Sequence, residues 1–318
     1  MFNKDVLKLI AKMLVLVMIL GICDVFLGVM FKHLLKHQVN GRFYDISYNL
    51  DKTEADLILI GSSRVQNDYD IDVFSKELHL STWKIGLGGQ GLIYFRAVEK
   101  TVIQRHTPKM IVLNIDPNAL EGDVEYDKLS LLRPYASDHL FIEEALCSKD
   151  KFEKYKLYSN IYCFNSMFYF LLDHSIYNKK EETKDNITRK AFKGTDSTLV
   201  IPKESEVNTK TTKATLNPKK VEMLLEMIDD VTQKNIQFVL AFAPNYYASN
   251  PPTATMNYVK KIKERDNLYI VDFSSDTSLV EKTPYFYNMT HMNQEGARVY
   301  SKRMSDWLKL HTKLSPIK

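Results

Sequence analysis

The 318-residue chain is 45% apolar and 26% charged, a globular composition that excludes collagen-like, coiled-coil and wholly disordered chains. Its net charge of +4 is gathered at the start, where Lys4, Lys8, Lys12, Lys32 and Lys36 face only Asp5 and Asp24 within residues 1–40; the near-neutral remainder lacks the cationic field a nucleic-acid partner needs. Three cysteines, Cys23, Cys147 and Cys163, are too few for a disulfide scaffold and form no C-x-x-C zinc pair; one Cys147–Cys163 bridge and free thiols fit equally.

Residues 1–40 read as a cytoplasmic tip, an anchor and a juxtamembrane segment. Met13 to Phe31 is an apolar run broken only by Gly and Asp24, and about 20 such residues cross a bilayer core as a helix. The lysines before it favour a cytoplasmic N-terminus, which puts residues 41–318 outside. No small-residue cleavage site follows the run, and Ile22 stands where a lipoprotein signal at Cys23 needs a small residue. Asp24 has two readings: a polar contact with another membrane helix, or a protonated or water-reaching side chain near the outer interface.

Beyond the anchor, short apolar runs recur at Asp56–Gly61, Thr82–Ile85, Met110–Ile115, Ile236–Phe242 and Leu268–Phe273. Helical patterns lie between and after them, at Leu92–Gln104, Lys219–Lys234, Thr253–Arg265 and Gln294–Leu310. Strands alternating with helices predict an α/β fold: three layers around a mostly parallel five-stranded sheet. An insertion at about 138–216 interrupts it. Its first part, Asp150–Tyr177, is crowded with aromatics and reads as an inserted helical pair, with a lid or a lipid-facing surface as the functional alternative. Its second part, Asn178–Thr215, is polar and reads as an exposed, partly disordered loop.

Chemistry is expected beyond the carboxyl ends of the strands. Gly61-Ser62-Ser63-Arg64 follows the first strand; a serine there either presents its hydroxyl above the sheet or simply caps a helix. Gly86-Leu87-Gly88-Gly89-Gln90-Gly91 follows the second strand and matches G-x-G-x-x-G. A dinucleotide fingerprint normally follows the first strand of its unit, and an extracytoplasmic domain has no nicotinamide supply, so no cofactor is expected. Glycines in such a turn also let backbone N–H groups approach a substrate. Asp116-Pro117-Asn118 ends the third strand, Asn118 being an amide donor or a plain turn residue. Near the C-terminus, Asn288-Met289-Thr290-His291-Met292-Asn293 precedes a helix, which places His291 on a loop.

The order of these motifs resembles the SGNH (GDSL-like) hydrolase superfamily over about residues 55–311. The GSSR variant, the anchor and the THMNQEGA ending are most similar to its membrane-anchored members, those of D-alanyl-lipoteichoic acid transfer and alginate O-acetylation. The resemblance implies a flavodoxin-like SGNH fold, Ser63 as nucleophile and His291 as base. It makes Gly89 and Asn118, with the Ser63 N–H, the oxyanion donors, and counts Arg64 among the substrate-binding residues. Three positions depart from the pattern. Ser62 replaces the usual Asp, Lys84 stands where an Asn is usual, and Asn288 replaces the Asp of D-x-x-H, leaving its side-chain oxygen to orient His291 without charge.

The function so implied is a single-pass protein of the bacterial cytoplasmic membrane. Its outer domain hydrolyses or transfers acyl esters on envelope glycans, with a membrane-bound acyl-transferring protein as the candidate partner. The alternative is a non-catalytic glycan-binding or scaffolding subunit on the same fold. No metal and no nucleic acid are expected.

Overall fold

The computed structural model describes residues 4–165, 167–177, 215–246, 252–262 and 265–314. The chain divides into two compact units, Met1–Tyr48 with Leu129–Thr183, and Asn49–Lys128 with Lys184–Lys318.

The second unit holds a parallel sheet of β1 (Leu57–Gly61), β2 (Thr82–Gly86), β3 (Met110–Asn114), β4 (Gln237–Phe242) and β5 (Leu268–Asp272). Its order is 2-1-3-4-5 and every neighbouring pair is parallel. The three central strands are buried along their whole length, which is why they are unbroken apolar runs rather than alternating ones. β2 and β5, at the edges, are only partly buried.

Helices cover both faces. α5 (Leu92–Arg105) and α10 (Pro218–Gln233) pack together on one side, while α3 (Ser63–Asp68) and α4 (Ile71–Leu78) meet α12 (Gln294–His311) on the other. There Leu57, Leu59, Val112 and Val239 from the strands join Phe74, Tyr300 and Met304 in one core. Local sequence fixes the helix starts. Asn217 caps α10 ahead of Pro218, Asp70 caps α4, and Asn293 caps α12 through the Gly296 N–H; each side-chain oxygen takes up a first-turn N–H that has no helical acceptor. α11 is short (Ala254–Val259), ending before the expected Arg265.

The other unit contains α1 (Lys4–Lys36), most of α2 (Gly41–Asp51), and the short α6 (Leu140–Cys147), α7 (Glu153–Lys156), α8 (Asn160–Cys163) and α9 (Phe168–Tyr177). α1 is long and apolar enough to cross a membrane. The aromatic insertion folds as several short helices rather than one pair, and Cys23, Cys147 and Cys163 are free thiols. Asp24 finds its partners within the same unit, at the start of α8. Its carboxylate accepts the Ser159 hydroxyl, the Asn160 backbone and side-chain N–H groups and the Ile161 N–H. The polar loop expected at Asn178–Thr215 lies outside the described residues, except for Thr215.

Candidate active site

A sheet of order 2-1-3 has its topological switch between β1 and β3, where parallel sheets open a crevice beyond their carboxyl ends. Ser63 stands there as the first residue of α3, directly after β1. Ser62 is the N-cap but makes no side-chain capping bond. The Ser63 hydroxyl points the other way: Oγ lies 2.7 Å from Nε2 of His291, 228 positions along the chain.

His291 sits on a folded-back loop. Phe286 bridges Met292, the Tyr287 N–H donates to the His291 carbonyl and the Asn293 N–H donates to the Tyr285 carbonyl. On its far side, Nδ1 is 3.1 Å from Asn288 Oδ1, which also accepts the backbone N–H groups of Thr290 and His291. An amide oxygen so placed accepts a hydrogen bond from Nδ1–H, which leaves Nε2 as the lone-pair nitrogen facing Ser63. The ring stacks on Tyr287 at 5.7 Å. Burial and then the Arg64 guanidinium hold its pKa below the usual 6.5, so the imidazole is neutral at pH 7.

Arg64 is buried. It donates to the Pro244 carbonyl and to Asn245 Oδ1, and its Nε is 3.2 Å from Asp116 Oδ1. The guanidinium thus ties the nucleophile turn to the loops after β3 and β4. Lys84, also buried, donates its ammonium to the Gln66 and Tyr69 carbonyls at the end of α3, where a cation offsets the negative helix end.

The Gly-rich turn runs beside Ser63. A Cβ on Gly86 would lie 2.5 Å from the Gln66 nitrogen, and one on Gly88 would lie 3.5 Å from Ser63 Cβ. Gly89 has φ +77° and is exposed. Asn118 is exposed and lines a cavity of about 230 Å³ with Gln90, Gly91, Asp116, Lys128 and Lys220.

Two groups escaped the reading of the sequence. Asp68, the last residue of α3, is fully buried and accepts the Met292 N–H at 2.8 Å. Burial pushes its pKa up to about 8, against the pull of Arg64. Beneath it, Tyr300 donates to Tyr69, and Tyr69 to Asn114 Oδ1 at the end of β3. Neither Asp68 nor Tyr69 belongs to a recognisable motif; the acid four residues after an Arg on a short helix was the one available hint. Among the described residues no His, Cys, Asp and Glu cluster is arranged to hold a metal.

No protein-family profile matches the sequence, and no curated protein matches it. Among solved structures, similar chains include a provisionally described acylhydrolase of Bacteroides fragilis, with TM-score 0.39, 11% identity, and coverage of 82% of this chain and 94% of that one. Another is the acetyl xylan esterase Est2A of the rumen bacterium Butyrivibrio proteoclasticus, with TM-score 0.37, 11% identity, and coverage of 80% and 63%.

Proposed function

We propose that this chain is a membrane-anchored, extracytoplasmic serine hydrolase or O-acyltransferase of envelope glycans. The observation that carries the reading is the Ser63–His291–Asn288 relay, with 2.7 Å from hydroxyl to imidazole and 3.1 Å from imidazole to amide oxygen. Ser63 Oγ attacks the ester carbonyl while its proton passes to His291 Nε2. The tetrahedral oxyanion faces the Ser63 N–H, the Gly89 N–H and Asn118, donors of the kind such an intermediate requires. Its collapse breaks the C–O bond, and the proton on Nε2 goes to the departing alcohol. Water or a sugar hydroxyl then gives a proton to His291 and attacks the acyl-Ser63 ester; the Ser63 Oγ–acyl bond breaks and His291 returns the proton to Oγ. The Asp116–Arg64 pair supplies the fixed charges around the imidazole, and the cavity lined by Asn118 and Lys220 is where the acyl group or glycan extends.

Full-length protein in detergent should hydrolyse a small aryl acetate and form a phosphonate adduct on Ser63, identified by its mass. Ser63→Ala should lose both, and equal rates in the two proteins discard the reading. One observation favours a second reading, a glycan-binding subunit without turnover: the residue behind His291 is an uncharged amide. Absence of adduct and turnover in both wild type and Asn288→Asp selects it.

A further inference from the structure

α1 changes character part-way along. Every residue from Lys4 to Cys23 is exposed around the whole helix. From Asp24 onward one face is covered: Asp24 and Leu27 are half-buried, and Gly28, Phe31 and Leu35 are buried. The cover is the aromatic segment. Asp24 binds residues 159–161, a Cβ on Gly28 would overlap Asn160 Cβ, and Phe31 packs on Phe164 and Phe168, with ring centroids at 5.6 and 6.3 Å.

The outward side of this segment is apolar. Phe152, Tyr155, Tyr158, Phe168, Tyr169 and Phe170 are each at least half exposed, Tyr158 at 70%. Six uncovered aromatics on one short segment are unusual for a surface in water. They are ordinary at a membrane interface, where rings take the level between headgroups and acyl chains. Phe26, 68% exposed, adds a ring from α1 itself.

We propose that residues 152–170 form a collar seated in the outer headgroup layer of the bilayer, and that the membrane surface meets α1 at Asp24 rather than at Phe31. The inference rests on α1 being a membrane helix. The bare stretch from Lys12 to Cys23 spans about 18 Å at 1.5 Å per residue, short of a ~30 Å core, so the bilayer meets it by local thinning and by Lys12 reaching back toward the inner headgroups. A span of Met13–Phe31 puts Asp24 about 10 Å below the surface. It drags Ser159, Asn160 and the nearby exposed Lys154 and Lys156 into hydrocarbon, where charged groups are disfavoured even when paired, as Lys156 is with Glu153. The Asp24 bonds thus serve as a depth stop that holds the collar at the surface.

The test uses the full chain with its three cysteines replaced by Ala, in phosphatidylglycerol–phosphatidylethanolamine liposomes. Single spin labels are placed at Leu16, Phe26, Tyr158, Tyr169 and, as an aqueous reference, Lys109. All are exposed positions, so labelling leaves the packing intact. Electron paramagnetic resonance power saturation, comparing oxygen with a water-soluble nickel complex, reads depth. The expected result is Leu16 deep, Phe26, Tyr158 and Tyr169 at one shallow headgroup-level depth, and Lys109 in water. With Leu16 deep, aqueous values at 158 and 169 overturn the collar while the span stands. Values at 26, 158 and 169 well inside the hydrocarbon restore the Phe31 boundary and overturn the proposal. An aqueous Leu16 overturns the membrane helix itself.

Discussion

Asp68 Oδ1 accepts the backbone N–H of Met292 across 224 positions of sequence. Ser63 opens α3 and Asp68 closes it, so one short helix carries the nucleophile at its head and grips the histidine loop at its tail. The distance between Ser63 and His291 is therefore set by a rigid element rather than by a loop meeting a loop. Tyr246, whose N–H donates to the Met289 carbonyl, pins the same loop to the end of β4.

Removing that grip should separate positioning from chemistry. Asp68→Ala leaves the buried Met292 N–H without an acceptor, a loss of about 1–3 kcal/mol, and frees the His291 loop. The expected outcome is a lower urea midpoint and a fall in kcat larger than any change in KM. Asp68→Asn keeps an acceptor and should restore most of the kcat.

Asp68 also predicts how stability varies with pH. Its pKa is raised from 3.8 to about 8. Between those values the folded chain keeps a proton that the unfolded chain has released, so stability falls as pH rises and levels off above about 8. In Asp68→Asn this contribution vanishes, so the unfolding free energy of the mutant minus that of wild type should rise steadily from pH 5 to pH 8. Parallel curves in urea titrations across that range contradict it.

A neutral His291 sets the acid limb of activity. Since its pKa lies below 6.5, kcat/KM should fall only when pH drops below that value. Asn288→Asp places a carboxylate on Nδ1, which stabilises imidazolium and moves the limb to higher pH. The same change should raise kcat, with a ceiling of about 10⁴-fold, the factor lost when a serine protease triad exchanges its Asp for Asn. His291→Ala, in contrast, should cost about 10²–10⁴-fold. Initial-rate profiles of the three proteins decide all of this.

Gly86 is a steric test of the turn. A Cβ there would sit 2.5 Å from the Gln66 nitrogen and 2.8 Å from its Cα, both backbone atoms that cannot swing aside. Gly86→Ala should force α3 away from β2, lowering stability by about 1–3 kcal/mol and displacing Ser63. Gly89→Ala meets no neighbour but is strained at φ +77°, so its effect should be milder and confined to the turn. Thermal melts of the two variants distinguish them.

The five strands and the four longer helices were legible as one-dimensional pattern, because burial on both faces of a parallel strand writes an apolar run into the chain and a capped helix announces its start at Asn217 or Asn293. The short α3 and α4 were not, since six to eight residues carry too few turns for a periodicity to emerge. The place of Ser63 and His291 at strand and helix ends could likewise be read locally. Their approach to 2.7 Å could not: it follows from strand order 2-1-3-4-5, from α12 packing against α3 and α4, and from the Asp68 bond, each a contact between residues far apart in sequence. Asp24 makes the same point within the other unit. Its charge in an apolar run was visible, but only the folded chain brings Ser159, Asn160 and Ile161 to satisfy it, because an acceptor's partners are chosen by packing in three dimensions and not by neighbours along the chain.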